Sequence, residues 1–174
     1  MEDLSYPIGK FKPEAELTES RRIQLIDEIS SAPAALREAV NGLSKDNLNV
    51  PYRPGGWTVR QVVHHLPDSH MNSYLRFRLA LTEDEPTIKP YEQKLWAELP
   101  DSKSADIEMS LKLFEGLHQR WVFLLRSMKP EDFQRKFVHP ESGIITLERT
   151  LQLYAWHGKH HVAHIASLRN RMGW

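Results

Sequence analysis

Cysteine is absent from this chain of 174 residues. The absence excludes disulfide bonds and thiolate metal ligands, so any thiol in a reaction has to come from a substrate. Protein ligands to a metal can then come only from histidine, aspartate and glutamate. The chain contains nine histidines.

An excess of charge of either sign is also absent. Lys and Arg number 23, Asp and Glu number 23, and no stretch is dense in Lys or Arg. A surface that follows nucleic-acid phosphates needs such a stretch, so the composition argues against nucleic-acid binding. The chain has no secretory signal at its start and no apolar run near the roughly 20 residues of a membrane span. We therefore expect a cytoplasmic protein with no membrane partner, in which residues 1–174 form one domain.

Apolar residues at helical spacing predict an all-α fold with four amphipathic helices. The helices are expected at residues 18–41, 59–81, 105–128 and 147–172, preceded by an extended arm over residues 1–16. Pro33 should kink or divide the first helix, and Pro67 should bend the second. The helices and their long connections imply a four-helix bundle, with a small hairpin over 137–146 before the last helix.

Four of the nine histidines lie between Tyr154 and Ile165, in the predicted last helix. His157 and His161 are four residues apart, and so are His160 and His164, so either pair could present two imidazoles to one ion. The helix periodicity favours the first pair. His161 lies roughly 20° and His157 roughly 60° from the centre of the apolar stripe, whereas His164 and His160 lie about 80° and 120° away.

Less specific interpretations of these histidines remain open. The inward pair could be held by hydrogen bonds to neighbouring groups, since a buried polar atom without a partner costs on the order of 1–3 kcal/mol. We interpret His64, His160 and His164 as neighbours of a site or as surface residues, and their angular positions favour the surface. His118 borders the apolar stripe of the third helix without a partner four residues away, which favours an ordinary histidine over a metal ligand.

A third metal ligand is predicted on the second helix. His65 begins a polar seam beside the apolar stripe, and Ser69, Asn72 and Arg76 continue it. For the last three residues, an ordinary amphipathic boundary is an equally good explanation. His65 is therefore the candidate third ligand.

Two motifs resemble the DinB superfamily, and within it the YfiT-like group of Bacillus-type bacteria. They are Gly-Gly-Trp-Thr-Val-Arg-Gln-Val-Val-His-His-Leu at 55–66 and Trp-His-Gly-Lys-His-His-Val-Ala-His-Ile at 156–165. The segments at 5–9, 68–74 and 171–174 extend the resemblance over essentially the whole chain. The resemblance implies a four-helix bundle of unusual topology and a cytoplasmic homodimer. It also implies one divalent metal per chain, zinc or nickel, held by His65, His157 and His161.

Pro67 departs from the resemblance, because alanine is expected at that position in close relatives. The proline follows the candidate ligand His65 by two residues, so it bears on metal affinity and not on the fold.

Three functions follow from such a site. Three neutral nitrogen ligands leave a coordination position open, which is typical of catalytic zinc. The resemblance implies a metal-dependent hydrolase acting on a small molecule, or an S-transferase for a low-molecular-weight thiol such as bacillithiol. A metal-stabilised binding protein without turnover is the third. Tyr154, Asn72 and Arg76 are candidates for orienting a polar substrate, and no residue is predicted as the general base.

Overall fold

The computed structural model describes residues 4–174, and its architecture is the predicted helical bundle. Seven α-helices lie within these residues: α1 Glu19–Val40, α2 Lys45–Leu48, α3 Val59–Thr82, α4 Gln93–Trp96, α5 Pro100–Ser104, α6 Ile107–Ser127 and α7 Leu147–Met172. The four long helices, α1, α3, α6 and α7, form the bundle. None of the seven is long and apolar enough to cross a membrane.

The long helices begin where side chains cap them. The hydroxyl of Thr58 accepts the backbone N–H of Gln61 at 3.2 Å, and the Gln61 side chain accepts the N–H of Thr58 at 2.9 Å, which together form a capping box. Thr146 caps α7 through the N–H of Arg149 at 3.2 Å. At the other end, Gly173 adopts φ 71°, a left-handed conformation that glycine tolerates and that stops the helix.

The order of the helices around the bundle differs from their order in the chain. Both α1 and α3 pack against α6 and against α7. Consecutive long helices α1 and α3 therefore lie on a diagonal, and so do α6 and α7. In a simple up-and-down bundle, consecutive helices would be neighbours.

Two prolines lie inside long helices without interrupting them. Pro33 lies within the 22 residues of α1, and Pro67 lies within the 24 residues of α3. Of the two effects predicted for Pro33, a kink or a division of the first helix, the division does not occur. Each proline still lacks a backbone N–H, so the carbonyl four residues earlier loses its helical partner. For Pro33 that carbonyl belongs to Ile29.

The connections contain short regular elements. A 3₁₀ turn at Pro130–Gln134 follows α6. Strands β1 Lys136–His139 and β2 Gly143–Thr146 then pair antiparallel, which confirms the predicted hairpin. The N-terminal arm, described from residue 4 onward, lies along α7, where the N–H of Glu14 donates to the Gln152 side chain at 2.7 Å.

The apolar core has two parts with histidines between them. One part surrounds Phe77 and Trp121, and the other surrounds Leu66 and Phe114. The fully buried ring of His70 lies 5.9 Å from the ring of Trp121 and 5.0 Å from that of Phe114, so it touches both parts. A polar layer thus crosses the bundle at mid-height, where buried polar groups need partners.

A candidate metal centre

Three histidines from two helices meet inside the bundle. His65 comes from α3, while His157 and His161 come from α7, and one nitrogen from each lies within 4.8 Å of the others. Ring centroids are 5.4 Å apart for His65 and His157, 4.8 Å for His65 and His161, and 4.5 Å for His157 and His161. We call these residues the first trio. They are the three residues that the sequence predicts as ligands.

The first trio has the donors that a divalent cation needs. Nε2 of His65 and Nδ1 of His161 are buried and have no hydrogen-bond partner. A buried ring nitrogen without a partner costs free energy that a metal bond would recover. Three imidazoles also form a donor set that suits zinc or nickel better than magnesium or calcium. The residues present therefore fit a transition metal.

Burial keeps these imidazoles neutral. It lowers the pKa of His65 to about 4, with a smaller contribution from His160. It also lowers the pKa values of His157 and His161 well below the ordinary 6.5, and neighbouring imidazoles add to the effect. A neutral ring keeps a lone pair for a metal, so the first trio can act as ligands at neutral pH without first losing protons.

A second trio shares His161. One nitrogen from each of His160, His161 and His164 also lies within 4.8 Å of the others, and the Nδ1 atoms of all three are buried without a partner. Nε2 of His164 donates to the carbonyl of Ser5 at 3.2 Å, so its unprotonated nitrogen is Nδ1. All three residues of the second trio lie on α7.

The predicted surface position of His64, His160 and His164 is wrong. Their exposures are 6%, 7% and 3%. The N-terminal arm covers His160, since the Tyr6 ring lies 5.8 Å from the His160 ring. The connection between α2 and α3 covers His164, since the Tyr52 ring stacks on the His164 ring at 4.0 Å. These covering residues lie outside α7, so the periodicity of that helix carried no information about them.

His64 of α3 is enclosed by the start of α6 and the segment that leads into it. One ring nitrogen lies 2.7 Å from the hydroxyl of Ser110, and the other lies 3.3 Å from the carbonyl of Ala105. Both ring nitrogens thus have partners, and His64 belongs to neither trio.

Two clefts reach the first trio from outside. The larger, of about 880 Å³, has His157 and His161 in its wall, with Trp57, Arg53 and Lys94 around them. The smaller, of about 400 Å³, reaches His157 from the other side. His65 is more deeply placed, at 4% exposure, and the Trp57 ring lies 4.7 Å from its own.

The predicted substrate-orienting residues divide between the clefts and the helix surface. Tyr154 and Arg76 line the smaller cleft together with His157. The Tyr154 hydroxyl lies 3.4 Å from that of Ser69. The amide of Asn72 instead donates to the carbonyl of Asp68 at 2.9 Å, one turn earlier in its own helix. Asn72 lines neither cleft, so the structure brings two of the three predicted residues to the site.

A profile of the DinB superfamily matches residues 28–165. This chain belongs to the DinB superfamily. The protein named "Putative metal-dependent hydrolase YfiT" from Bacillus subtilis (strain 168) is 53% identical over 173 residues, which is 99% of this chain and 97% of the relative. A Bacillus cereus (strain 03BB102) protein named "Putative metal-dependent hydrolase" is 55% identical over 174 residues and covers 100% of both chains.

A solved structure shows that the similarity to these relatives includes the fold. It is titled "YfiT from Bacillus subtilis is a probable metal-dependent hydrolase with an unusual four-helix bundle topology". It superposes with a TM-score of 0.97 at 53% identity, over 99% of each chain. The names of the relatives imply a metal ion, and two histidine trios in this DinB chain could hold one.

One buried histidine of this DinB bundle, His70, was not predicted from the sequence. His70 is 0% exposed and hydrogen-bonded to two other imidazoles. A signal was present, because His70 lies four residues after Leu66 and seven before Phe77, in the middle of the apolar stripe of α3. His118 also lies in the core, and it is one of the two partners of His70.

The buried imidazoles predict acid lability of the metal-free protein. Burial lowers the pKa values of His65, His118 and His160 to about 4, against 6.5 when unfolded. Between these values the unfolded chain binds more protons, so stability falls as the pH falls. Burial raises the pKa of Asp68 to about 6, which acts in the opposite sense but involves one carboxyl group against several imidazoles. Each imidazole costs up to about 2 kcal/mol between pH 6.5 and pH 5.

Urea unfolding of the metal-free protein at pH 7.5, 6.5 and 5 measures this loss. We expect the unfolding midpoint to fall slightly from pH 7.5 to 6.5, where the unfolded imidazoles are half protonated, and to fall much further by pH 5. The drop should be smaller in His118→Gln, which removes one of the titrating rings. A midpoint that stays constant down to pH 5 would contradict the prediction.

Proposed function

We propose that this protein is a metal-dependent hydrolase of small molecules in which His65, His157 and His161 hold one divalent cation, with zinc first and nickel second. The observation that carries the proposal is the convergence of three neutral imidazoles beside an open cleft of about 880 Å³. Three protein ligands leave a coordination position for an exogenous ligand, and the cleft gives that ligand access.

The chain's own residues would bind the cation and orient the substrate. When bound at such a site, zinc acidifies water to a pKa of about 7, so that hydroxide is available to attack a carbonyl or phosphoryl centre. Trp57 shields His65 from bulk water, since their rings are 4.7 Å apart. Arg53 and Lys94 line the larger cleft and suit an anionic substrate group. Tyr154 and Arg76 offer a hydroxyl and a guanidinium on the other side of His157.

Thiol transfer is the second candidate, and the lack of a buried carboxylate in the clefts favours it. Of the described residues that line the larger cleft, Glu98 alone carries a carboxylate, and it is exposed and bound to Lys103 at 3.0 Å. The two glutamates that line the smaller cleft, Glu92 and Glu141, are exposed as well. Hydrolysis usually uses a general base near the attacking water. A thiol that coordinates a metal is deprotonated by the metal, so it needs no such base. Because the chain has no cysteine, that thiol would be a substrate such as bacillithiol.

Parallel assays of the zinc-loaded full chain test the two reactions. One assay uses panels of esters, amides and phosphoesters, and the other uses bacillithiol with the electrophile monochlorobimane. We expect turnover that chelation abolishes and added zinc restores, with His65→Ala inactive. Zinc-dependent conjugation without hydrolysis would replace the first candidate with the second.

A metal that only stabilises the bundle predicts a different result. Chelation would then unfold the chain, while neither assay shows turnover. Circular dichroism of the chelated protein separates this case from an enzyme, which keeps its helices and loses activity. The expected homodimer and the cytoplasmic location stay predictions. Light scattering on the purified chain measures the former.

A further inference from the structure

A proline in α1 leaves one backbone carbonyl free for a side chain. In a regular helix the carbonyl of Ile29 would accept the N–H of residue 33, but Pro33 has none. The ring of His118, from α6, takes that place, with Nδ1 2.7 Å from the Ile29 oxygen. The interior proline of α1 thus creates an acceptor inside the bundle.

Two further hydrogen bonds connect His118 to the first trio. Nε2 of His118 lies 2.9 Å from Nδ1 of His70, and Nε2 of His70 lies 3.2 Å from Nδ1 of His157. The four groups come from four different helices: Ile29 from α1, His118 from α6, His70 from α3 and His157 from α7. We call this chain of hydrogen bonds the relay.

The carbonyl determines which nitrogen carries the proton in every ring of the relay. A carbonyl oxygen can only accept, so Nδ1 of His118 carries its proton, and Nε2 of that neutral ring accepts. Nδ1 of His70 must then donate to His118, which leaves Nε2 of His70 as the acceptor for His157. His157 therefore donates through Nδ1 and keeps its lone pair on Nε2.

Burial supports the neutral form that this reasoning needs. His70 and His118 are 0% and 2% exposed. Desolvation lowers the pKa of His118 to about 4 and that of His70 well below its ordinary value. A neutral histidine in water prefers the tautomer with its proton on Nε2, so the relay imposes the less common tautomer on all three rings.

We propose that His118 and His70 are positioning residues that, anchored on the Ile29 carbonyl which Pro33 frees, hold His157 in the tautomer that offers Nε2 to the cation. The proposal rests on the metal site proposed above. Histidine ligands usually donate their second nitrogen to a carboxylate, a carbonyl or water. Here two more imidazoles lie between the ligand and the carbonyl, so α1 and α6 act on a site whose ligands belong to α3 and α7.

The tautomer is measurable without any metal. Long-range ¹H–¹⁵N correlation spectra of the metal-free, ¹⁵N-labelled full chain at pH 7.5 distinguish a protonated from an unprotonated ring nitrogen. We expect His157, His70 and His118 to carry their protons on Nδ1. A wild-type spectrum with the proton of His157 on Nε2 would overturn the proposal, whatever the metal affinity.

Two substitutions of His118 separate the relay from simple packing. His118→Leu keeps a side chain of similar size but removes both hydrogen bonds. Its His157 should lose the Nδ1–H tautomer, and its zinc affinity should fall by about 10- to 100-fold. His118→Gln can donate from its amide nitrogen to Ile29 and accept from His70 through its amide oxygen, so tautomer and affinity should stay near wild type.

His64→Ala is the matched control. It removes another buried imidazole of the bundle, at 6% exposure, that bonds to Ser110 and takes no part in the relay. The tautomer of His157 should not change in this variant. Equal losses of zinc affinity in His118→Leu and His118→Gln, with the tautomer unchanged in both, would assign His118 to packing and overturn the proposal.

The proposed function and the relay can fail separately. If wild-type protein does not bind zinc in competition with a chromophoric chelator, the metal site fails, while the metal-free spectra still test the relay. If wild type binds zinc but His157 carries its proton on Nε2, the relay fails alone. Should His118→Leu not fold, the wild-type spectrum and the Gln variant still decide the matter.

Discussion

Replacing His65 with alanine is expected to lower the zinc affinity on the order of 10²- to 10³-fold, while replacing His160 should leave it within about threefold. Structural zinc sites with four ligands bind with about 10–16 kcal/mol, so one ligand accounts for roughly 3–4 kcal/mol. Both residues are buried and both have a ring nitrogen without a partner, so the two variants remove comparable groups. They differ in the trio to which the imidazole belongs.

The first trio is the better site for three reasons. It takes ligands from two helices, whereas the second trio lies on α7 alone. Its member His157 is held through Nδ1 by His70, which leaves Nε2 for a metal. It also adjoins both clefts through His157.

Competition with a chromophoric chelator measures these affinities, and circular dichroism checks that each variant folds. His161→Ala should be impaired under either assignment, because His161 belongs to both trios. A larger loss in His160→Ala than in His65→Ala would move the cation to the second trio. That result would contradict the ligand set proposed above.

Substituting leucine for Gly158 is expected to destabilise the protein by about 3 kcal/mol and to weaken zinc binding as well. A β-carbon at Gly158 would already lie 3.2 Å from the β-carbon of Ala32 in α1 and 3.7 Å from Cε1 of His70. A leucine side chain has to push α1 away from α7, and overpacking of this kind typically costs about 1–3 kcal/mol. Gly158 lies between His157 and His161, so the displacement also moves two proposed ligands.

Gly116 provides the matched control for this substitution. It lies in α6, is exposed, and would place a β-carbon with nothing within 4 Å. Gly116→Leu should therefore stabilise the helix by roughly 0.5–1 kcal/mol, because glycine is a poor helix former. Unfolding in urea measures both variants. Equal unfolding midpoints for the two variants would show that α1 can move away from α7 without loss of stability, which would contradict the prediction.

The parts of the fold that depend on neighbouring residues were predictable. Thr58 with Gln61, and Thr146 with Arg149, mark the starts of α3 and α7, because caps act over one helical turn. The hairpin was predictable because two short apolar runs flank a turn.

The remainder of the site depended on contacts across the fold. The burial of His160 and His164 comes from Tyr6 and Tyr52, which are distant in the chain. Periodicity ranks the faces of one helix but says nothing about what covers them. Pro33 could be recognised as a helix irregularity, yet its consequence required knowing that His118 of α6 faces the carbonyl of Ile29.

The diagonal arrangement of the helices has a consequence for biosynthesis. His65 and His157 are 92 residues apart, and α7 is synthesised after α1, α3 and α6. The three earlier long helices, α1, α3 and α6, contain His65, His70 and His118 but neither His157 nor His161. With the proposed ligand set His65, His157 and His161, an ion would bind only after α7 has docked on α3, a long-range step of the kind that slows folding.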